Sequence, residues 1–227
     1  MKSLFSLIAL LLITFYNAQG LKNFPTPKGY TKIAESKGDL DKDGKDEVVI
    51  IFDTDQKASE NADNPEFKDY KRVFYILKNE DNSLKVWKKN ATVLFSSGMG
   101  FYPEENTPPE ISIKNNALTI SQTFNTNSRH TQNYNHTFRF QNGDFYLIGS
   151  HDQFEDTCDF IFLNEINFST GKVIVDKEYS SCNDETKAPD PFHKEFTHKL
   201  KTLIKMNDFT IGGHQFRIPG SADDLFF

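Results

Sequence analysis

Apolar and polar residues alternate with a period of two along much of this chain. Phe, Tyr, Ile and Val occupy most of the apolar positions, and these residue types suit the half-buried surface of a pleated sheet. Asn115-Asn116 and Asn142-Gly143 favour the positive φ of two-residue hairpin turns, which predicts an antiparallel meander, either a sandwich or an open barrel. The predicted strands are Asp46–Phe52, Arg72–Lys78, Leu84–Lys88, Glu110–Ile113, Ala117–Phe124, Tyr134–Gln141 and Asp144–Ile148.

One segment near the C-terminal end has helical spacing instead. Asp190 is a suitable N-cap and Pro191 suits the first turn, so the pattern predicts one amphipathic helix over residues 191–204. We expect this helix to pack its apolar stripe on the open face of the sheet, and a lipid-binding or partner-binding helix is the alternative. The apolar stripe consists of Phe192, Phe196, Leu200, Leu203 and Ile204.

The first 20 residues have the layout of a secretory signal peptide. Lys2 precedes an apolar run that starts at Leu4, and Ala18-Gln19-Gly20 places small residues before a possible cleavage site. The run is shorter than the roughly 20 apolar residues of a transmembrane helix, although a retained anchor is the alternative. We therefore expect residues 21–227 to form a single β-rich domain in the periplasm or outside the cell, without membrane attachment.

The charge balance is acidic. The chain has 26 Lys and Arg residues against 32 Asp and Glu residues, so loss of Lys2 with the signal peptide changes the net charge from −6 to −7. Nucleic acids and anionic membranes attract basic surfaces, so neither is an expected partner.

The two cysteines, Cys158 and Cys182, are expected to form a disulfide in an oxidising compartment, and two free buried thiols are the alternative. The segment between them has a turn signal at residues 168–171, which predicts a hairpin that brings the cysteines together. The expected cross-strand pairs are Phe168 with Val173, Ile166 with Val175, and Phe162 with Tyr179.

The stretch GDLDKDGKDEVVII, residues 38–51, combines alternating aspartates with the start of an apolar strand. Calcium prefers six to eight oxygen ligands, and Gly44 would relieve the tight curl that brings three aspartates together. An EF-hand is excluded because its twelfth position, a bidentate Glu, is Ile50 here. The expected ligands of a calcium site in residues 38–47 are Asp39, Asp41, Asp43, the Lys45 carbonyl and Glu47.

This stretch resembles the calcium loop of FG-GAP/VCBS-type repeats, the integrin-α-like pattern DxDxDGxxD followed by a hydrophobic strand. Glu47 stands where that pattern has its last Asp, and the loop occurs once, so no propeller is implied. The whole chain is also similar to exported proteins of Gram-negative bacteria that carry GDLDKDG early and FRFQNGDFYLIG late, which implies no particular activity. A solvated acidic turn without an ion is the alternative interpretation.

Residues 96–110 form a long connection with Gly and Pro, which we call the interaction loop. Met99, Phe101 and Tyr102 lie in it, and long loops in compact domains are often functional. Exposed aromatic rings there would suit a protein or glycan partner, whereas buried rings would belong to the core.

Recognisable catalytic motifs are absent from the sequence. His130, His136 and His151 could meet in space, yet no HExxH, GxSxG or CxxC motif accompanies them. We therefore expect an exported, calcium-stabilised, non-catalytic binding module, a class that includes inhibitors and immunity-type proteins. Its partner would be a protein or glycan of the cell envelope. The alternative function is a hydrolase of cell-envelope glycan or peptide that uses carboxylates and histidines.

Overall fold

The structure is a computed structural model that describes residues 24–59, 67–80, 83–183 and 185–227. The predicted signal peptide, residues 1–20, lies outside the described residues. Short 3₁₀ helices cover Pro103–Glu105 and Met206–Asp208. The strands, in chain order, are β1 (Thr31–Gly38), β2 (Glu47–Lys57), β3 (Tyr70–Glu80), β4 (Ser83–Asn90), β5 (Glu110–Lys114), β6 (Ala117–Asn125), β7 (His130–Gln141), β8 (Asp144–Asp156), β9 (Phe160–Asn167), β10 (Lys172–Tyr179), β11 (Phe192–Thr197), β12 (Gln215–Arg217) and β13 (Asp224–Phe226).

These strands form three antiparallel sheets, and each sheet follows the chain order. The four-stranded sheet runs β1-β2-β3-β4, the seven-stranded sheet runs β11-β10-β9-β8-β7-β6-β5, and β12 pairs with β13. The prediction of a mainly β, antiparallel meander is therefore confirmed. No sheet closes into a barrel within the described parts of the chain, since both large sheets end in edge strands.

The two predicted hairpin turns are confirmed. Asn115 and Asn116 have φ values of 52° and 57°, and they connect Lys114 to its Cα partner Ala117. Asn142 and Gly143, with φ values of 50° and 81°, connect β7 to β8 in the same way. All seven predicted strands exist, but β8 extends eight residues beyond its predicted end at Ile148 and reaches Asp156. This extension positions a row of polar and aromatic side chains beyond the apolar core.

The predicted C-terminal helix is wrong, and the residues described contain no α-helix. Residues 192–197 form β11, which pairs with β10 at the edge of the seven-stranded sheet, with Phe196 opposite Val173. The apolar side chains of Phe192, Phe196 and Leu200 occur at every fourth residue. Residues four apart lie on the same face of a helix, and they also lie on the same face of a strand, so this spacing fits both. The tertiary structure decides between them: a strand at residues 192–197 forms hydrogen bonds with the backbone N–H and C=O groups at the otherwise unpaired edge of β10.

The remaining apolar residues of the predicted stripe pack on the core without forming a helix. Leu200, Leu203 and Ile204 are partly buried against it. The Ile204 carbonyl accepts a hydrogen bond of 2.9 Å from the backbone N–H of Leu147, and Lys205 forms a bridge with Tyr146.

The turn between β9 and β10 lies where it was predicted, but the predicted register is wrong by two residues. Ile166 pairs with Val173, and Phe160 pairs with Tyr179. Phe168 leaves the ladder because its buried ring packs against Phe227, with the ring centroids 4.9 Å apart. A shift of two residues keeps every side chain on its predicted face.

Most buried side chains belong to one core between the two large sheets. The four-stranded sheet contributes residues such as Val49 and Phe74, and the seven-stranded sheet contributes residues such as Leu118 and Phe138. A smaller apolar cluster on the other face of the four-stranded sheet includes Phe52. Strand β2 is therefore buried on both faces, and the loop that leads into it is anchored to the core.

Candidate functional site

Residues 38–47 connect β1 to β2, and we call them the aspartate loop. Carboxylate oxygens of Asp39, Asp41 and Asp43 lie within 4.8 Å of one another. The tight curl requires positive φ at Lys42 (67°) and at Gly44 (81°), and glycine adopts this conformation without steric cost. The structure thus brings together the three alternating aspartates that the sequence singled out.

Backbone N–H groups of the loop itself hold these carboxylates in place. The two carboxylate oxygens of Asp39 accept hydrogen bonds from the N–H groups of Lys42 at 2.6 Å and Gly44 at 3.1 Å. Asp43 accepts one from the N–H of Lys45 at 2.8 Å. The side chain of Asn116 donates to the Asp39 carbonyl at 2.7 Å and ties the loop to the β5–β6 turn.

Glu47 has a different environment from the three aspartates. It is 1% exposed, and its carboxylate accepts a hydrogen bond of 2.8 Å from the backbone N–H of Leu40. Burial, with a smaller contribution from the charges of Asp41 and Asp43, raises its pKa. Glu47 does not belong to the group of three aspartates whose carboxylate oxygens lie close enough together to hold a metal. Glu47 therefore connects the two ends of the loop in this structure.

Lys78, on β3, supplies a positive charge to the aspartate loop, and sequence reasoning missed it. Its ammonium group forms an ion pair with Asp41, and its nitrogen lies 3.9 Å from a carboxylate oxygen of Asp43. The hydrogen bond with Asp41 raises the pKa of Lys78. The nitrogen also lies 4.4 Å from the ring centroid of Trp87, a cation–π contact. The loop is thus balanced by one cation from β3, the strand that pairs with β2.

The hard oxygen atoms of the three aspartates are the ligand type that calcium prefers. Three carboxylates in one turn repel each other, and a divalent cation would neutralise more of that charge than Lys78 alone. The chemistry that these carboxylates offer is cation binding at the entry of a buried strand.

The interaction loop exposes the three side chains that the sequence singled out. Met99 is 37% exposed, Phe101 is 52% exposed and Tyr102 is 42% exposed. The rings of Phe101 and Tyr102 pack edge to face, with centroids 4.4 Å apart. Of the two interpretations left open by the sequence, the exposed one is therefore observed.

Hydrogen bonds within this loop and to its neighbours anchor its backbone. The N–H of Phe101 donates to the Asn125 carbonyl at 2.7 Å, and the side chain of Asn106 donates to the Met99 carbonyl at 2.7 Å. Asp69 accepts a bond of 2.8 Å from the N–H of Gly98. The aromatic pair is therefore presented on a loop whose backbone is tied to its surroundings.

The three histidines in strands β7 and β8 do not meet. His130 lies 2.9 Å from a carboxylate oxygen of Asp156, and His151 lies 3.3 Å from a carboxylate oxygen of Glu165. His136 is fully buried, and both of its ring nitrogens have no hydrogen-bond partner among the described residues. Burial lowers the pKa of His136 to about 3, so it is a neutral core residue.

Cys158 and Cys182 form a disulfide at the open end of the β9–β10 hairpin, with Cα atoms 5.4 Å apart. Arg129 lies beside it and pairs with Asp156 and Asp159, each at 2.6 Å. Burial would raise the pKa of Asp156, but hydrogen bonds from the Cys158 N–H and from Arg129 outweigh it and lower the pKa to about 2. The disulfide and this ion-pair cluster close the hairpin together.

Comparison with known proteins identifies no relative: no protein-family model, curated protein or solved structure matches this chain. Within the described part of the chain, no helix is long and apolar enough to cross a membrane.

Proposed function

We propose that residues 21–227 form an exported, non-catalytic binding module that contacts a protein of the cell envelope through the interaction loop. The observation that carries this proposal is the exposed pair of Phe101 and Tyr102 on an anchored loop. Large aromatic side chains supply most of the binding free energy at many protein interfaces. Binding costs less conformational entropy when the loop that carries these rings is already ordered.

The acidic charge indicates the type of partner. The chain has a net charge of −6, and Glu104 and Glu105 follow the aromatic pair closely in the chain. Acidic residues around an apolar centre speed association with a basic partner and disfavour acidic ones. An inhibitor or immunity-type protein that covers a basic exported enzyme fits this arrangement.

Calcium has a structural role in this proposal. The three aspartates alternate along one short loop, and Glu47 begins β2, whose residues Val48 and Val49 are 2% and 0% exposed. An ion at the aspartate loop would fix the entry of that strand and leave few coordination positions for a substrate. We propose that the module binds Ca²⁺ there and that the ion stabilises the fold.

Affinity capture from cell-envelope extract, read by mass spectrometry, tests the proposed interaction. A protein captured by the native chain should be lost with Phe101→Ala and with Tyr102→Ala, since a central aromatic side chain contributes about 2 kcal/mol or more, roughly a thirtyfold change in affinity. Val86→Ala is the matched control because Val86 is 49% exposed on β4, away from the loop. Equal capture by the native chain, by Phe101→Ala and Tyr102→Ala, and by the control would contradict the proposal.

A further inference from the structure

A cleft of about 170 Å³ lies between the inner face of the seven-stranded sheet and the β12–β13 hairpin. Asp152, Asn164 and Val175 are direct neighbours across β8, β9 and β10 and form its floor. Phe162 and Lys177 form the next row of the floor. The cleft lies in the part of the sheet that β8 adds beyond its predicted end, so the sequence pattern did not predict it.

The floor of the cleft carries a carboxylate held by neutral groups. Asp152 accepts hydrogen bonds from the side-chain amides of Gln132 and Asn164, and burial raises its pKa to about 6. Each carboxylate oxygen can accept more than one hydrogen bond, so Asp152 keeps acceptor capacity for a ligand. An apolar ligand would displace the water molecules that hydrogen-bond to Asp152 and Asn164 and would form no hydrogen bonds in their place. This loss makes the binding of an apolar ligand unfavourable.

The charges of the opposite wall are already paired. Asp223 lies 2.9 Å from the ammonium nitrogen of Lys177, and Asp224 lies 2.8 Å from the side chain of Arg217. A cationic ligand would meet the ammonium group of Lys177, and an anionic ligand would meet the surplus carboxylate of Asp152. A neutral ligand that donates hydrogen bonds can satisfy Asp152 without placing a second positive charge beside Lys177.

Aromatic rings give the cleft an apolar component. Phe162 lines its floor, and Phe226 lines the hairpin side while 52% exposed. A sugar ring has faces of C–H groups and a rim of hydroxyl groups, so it can pack on such rings and donate to carboxylate and amide oxygens. The volume is below the roughly 300–1,000 Å³ of pockets for drug-sized ligands, which limits the ligand to about one ring.

We propose that this cleft binds one neutral sugar ring, with Asp152 and Asn164 hydrogen-bonded to its hydroxyls and Phe162 and Phe226 packed against its C–H faces. The ring is either a free monosaccharide or the terminal unit of a glycan. This site is separate from the interaction loop, and it does not depend on the proposed protein partner.

Saturation-transfer NMR on the full chain tests the proposal. The probes are glucose, galactose, mannose and N-acetylglucosamine, each as a free sugar and as the non-reducing end of a disaccharide. We expect at least one probe to bind with a millimolar dissociation constant. Tighter binding of the disaccharide would identify a glycan end as the ligand, and equal or weaker binding would identify the free sugar.

Variants locate the binding. Asn164→Ala and Phe226→Ala should each weaken binding about tenfold, because each removes one hydrogen bond or one packing surface. Ile161→Ala is the matched control, since Ile161 is 43% exposed on β9, and alternation directs its side chain to the face opposite Phe162. Circular dichroism verifies that each variant is folded.

Three outcomes would overturn the proposal. The first is that no probe binds the native chain. The second is that Asn164→Ala and Phe226→Ala bind a probe as well as the Ile161→Ala control does. The third is that a tri-arginine peptide, rather than a sugar, binds in a way that these two variants abolish, which would assign the cleft to a basic protein segment.

Discussion

The ammonium group of Lys78 on β3 forms an ion pair with Asp41 in the aspartate loop, although the two residues are 37 apart in the chain. Its nitrogen lies 3.9 Å from Asp43 as well, so one cation approaches two of the three clustered carboxylates. A calcium ion bound by these carboxylates would be repelled by this charge. In the proposed calcium site, Lys78 would therefore lower the affinity of the loop for the ion.

Replacing Lys78 by methionine should raise the calcium affinity of the loop. Two unit charges 4 Å apart interact by about 1 kcal/mol in water, and a divalent ion doubles this value, so we expect an increase of roughly thirtyfold. Without calcium, Lys78→Met should melt at a lower temperature because the aspartates lose their counterion. Isothermal titration calorimetry measures the affinity, and Lys71→Met, on an exposed position of the same strand, is the control. An affinity equal to that of the control would contradict the role assigned to Lys78.

Calcium should raise the melting temperature of the native chain modestly. At ten times the dissociation constant, binding adds about 1.4 kcal/mol to the free energy of unfolding. For a chain of this size, that is roughly 3–6 °C. Asp41→Ala should abolish the shift, whereas Asp190→Ala, an exposed acid outside the loop, should keep it.

Differential scanning fluorimetry on chelated protein, with calcium or magnesium titrated back, measures these shifts. Magnesium should have little effect, because it requires a stricter octahedral geometry and loses its water ligands reluctantly. Absence of any shift at several millimolar calcium would leave only the solvated-turn interpretation.

Removing the disulfide should destabilise the chain by up to about 3.5 kcal/mol, because Cys158 and Cys182 are 24 residues apart and the bond restricts the unfolded chain. The loss will be smaller if the β9–β10 hairpin persists after unfolding. Urea unfolding of the Cys158→Ser, Cys182→Ser double variant gives the difference in free energy. Thiol counting on the denatured, non-reduced native chain should find no free thiol, and two free thiols would refute the disulfide.

Local turn chemistry explains why the middle of the fold could be predicted. Asn142 and Gly143 adopt the positive φ that a two-residue turn requires, and this requirement is readable from two residues. The segment from Phe192 could not be assigned in this way, because its apolar spacing of four fits a helix and a strand. The choice depends on the free edge of β10, a tertiary feature that no local pattern contains.

The candidate sites show the same limit. Asp39, Asp41 and Asp43 could be grouped from sequence because their spacing within one curled loop determines their proximity. Lys78 could not, since its contact with Asp41 depends on how the loop lies over β3. The cleft beside the β12–β13 hairpin could not be predicted from sequence either. Asp152 comes from the unpredicted extension of β8, and Phe226 comes from a short hairpin far along the chain.

The fully buried His136 should make the chain sensitive to acid. The ordinary pKa of histidine is about 6.5, and burial lowers it to about 3 in the folded chain. Between these pH values the unfolded chain binds one more proton at this residue, so the free energy of unfolding falls as the pH falls. The slope is up to about 1.4 kcal/mol per pH unit. The buried Asp152 has the opposite effect on stability. Because its pKa is raised in the folded chain, the folded chain binds a proton there before the unfolded chain does, and the free energy of unfolding rises as the pH falls.

Replacing His136 by phenylalanine isolates this contribution. Phe209 lies 4.8 Å from the His136 ring, centroid to centroid, so an aromatic side chain suits the site. Urea unfolding at pH 7.5 and pH 5 should show a smaller loss of stability on acidification for His136→Phe than for the native chain. The difference should be about 1–2 kcal/mol. His193→Gln, at a largely exposed position on β11, is the control and should behave as the native chain does. An equal loss in His136→Phe and the native chain would show that other groups determine the acid sensitivity.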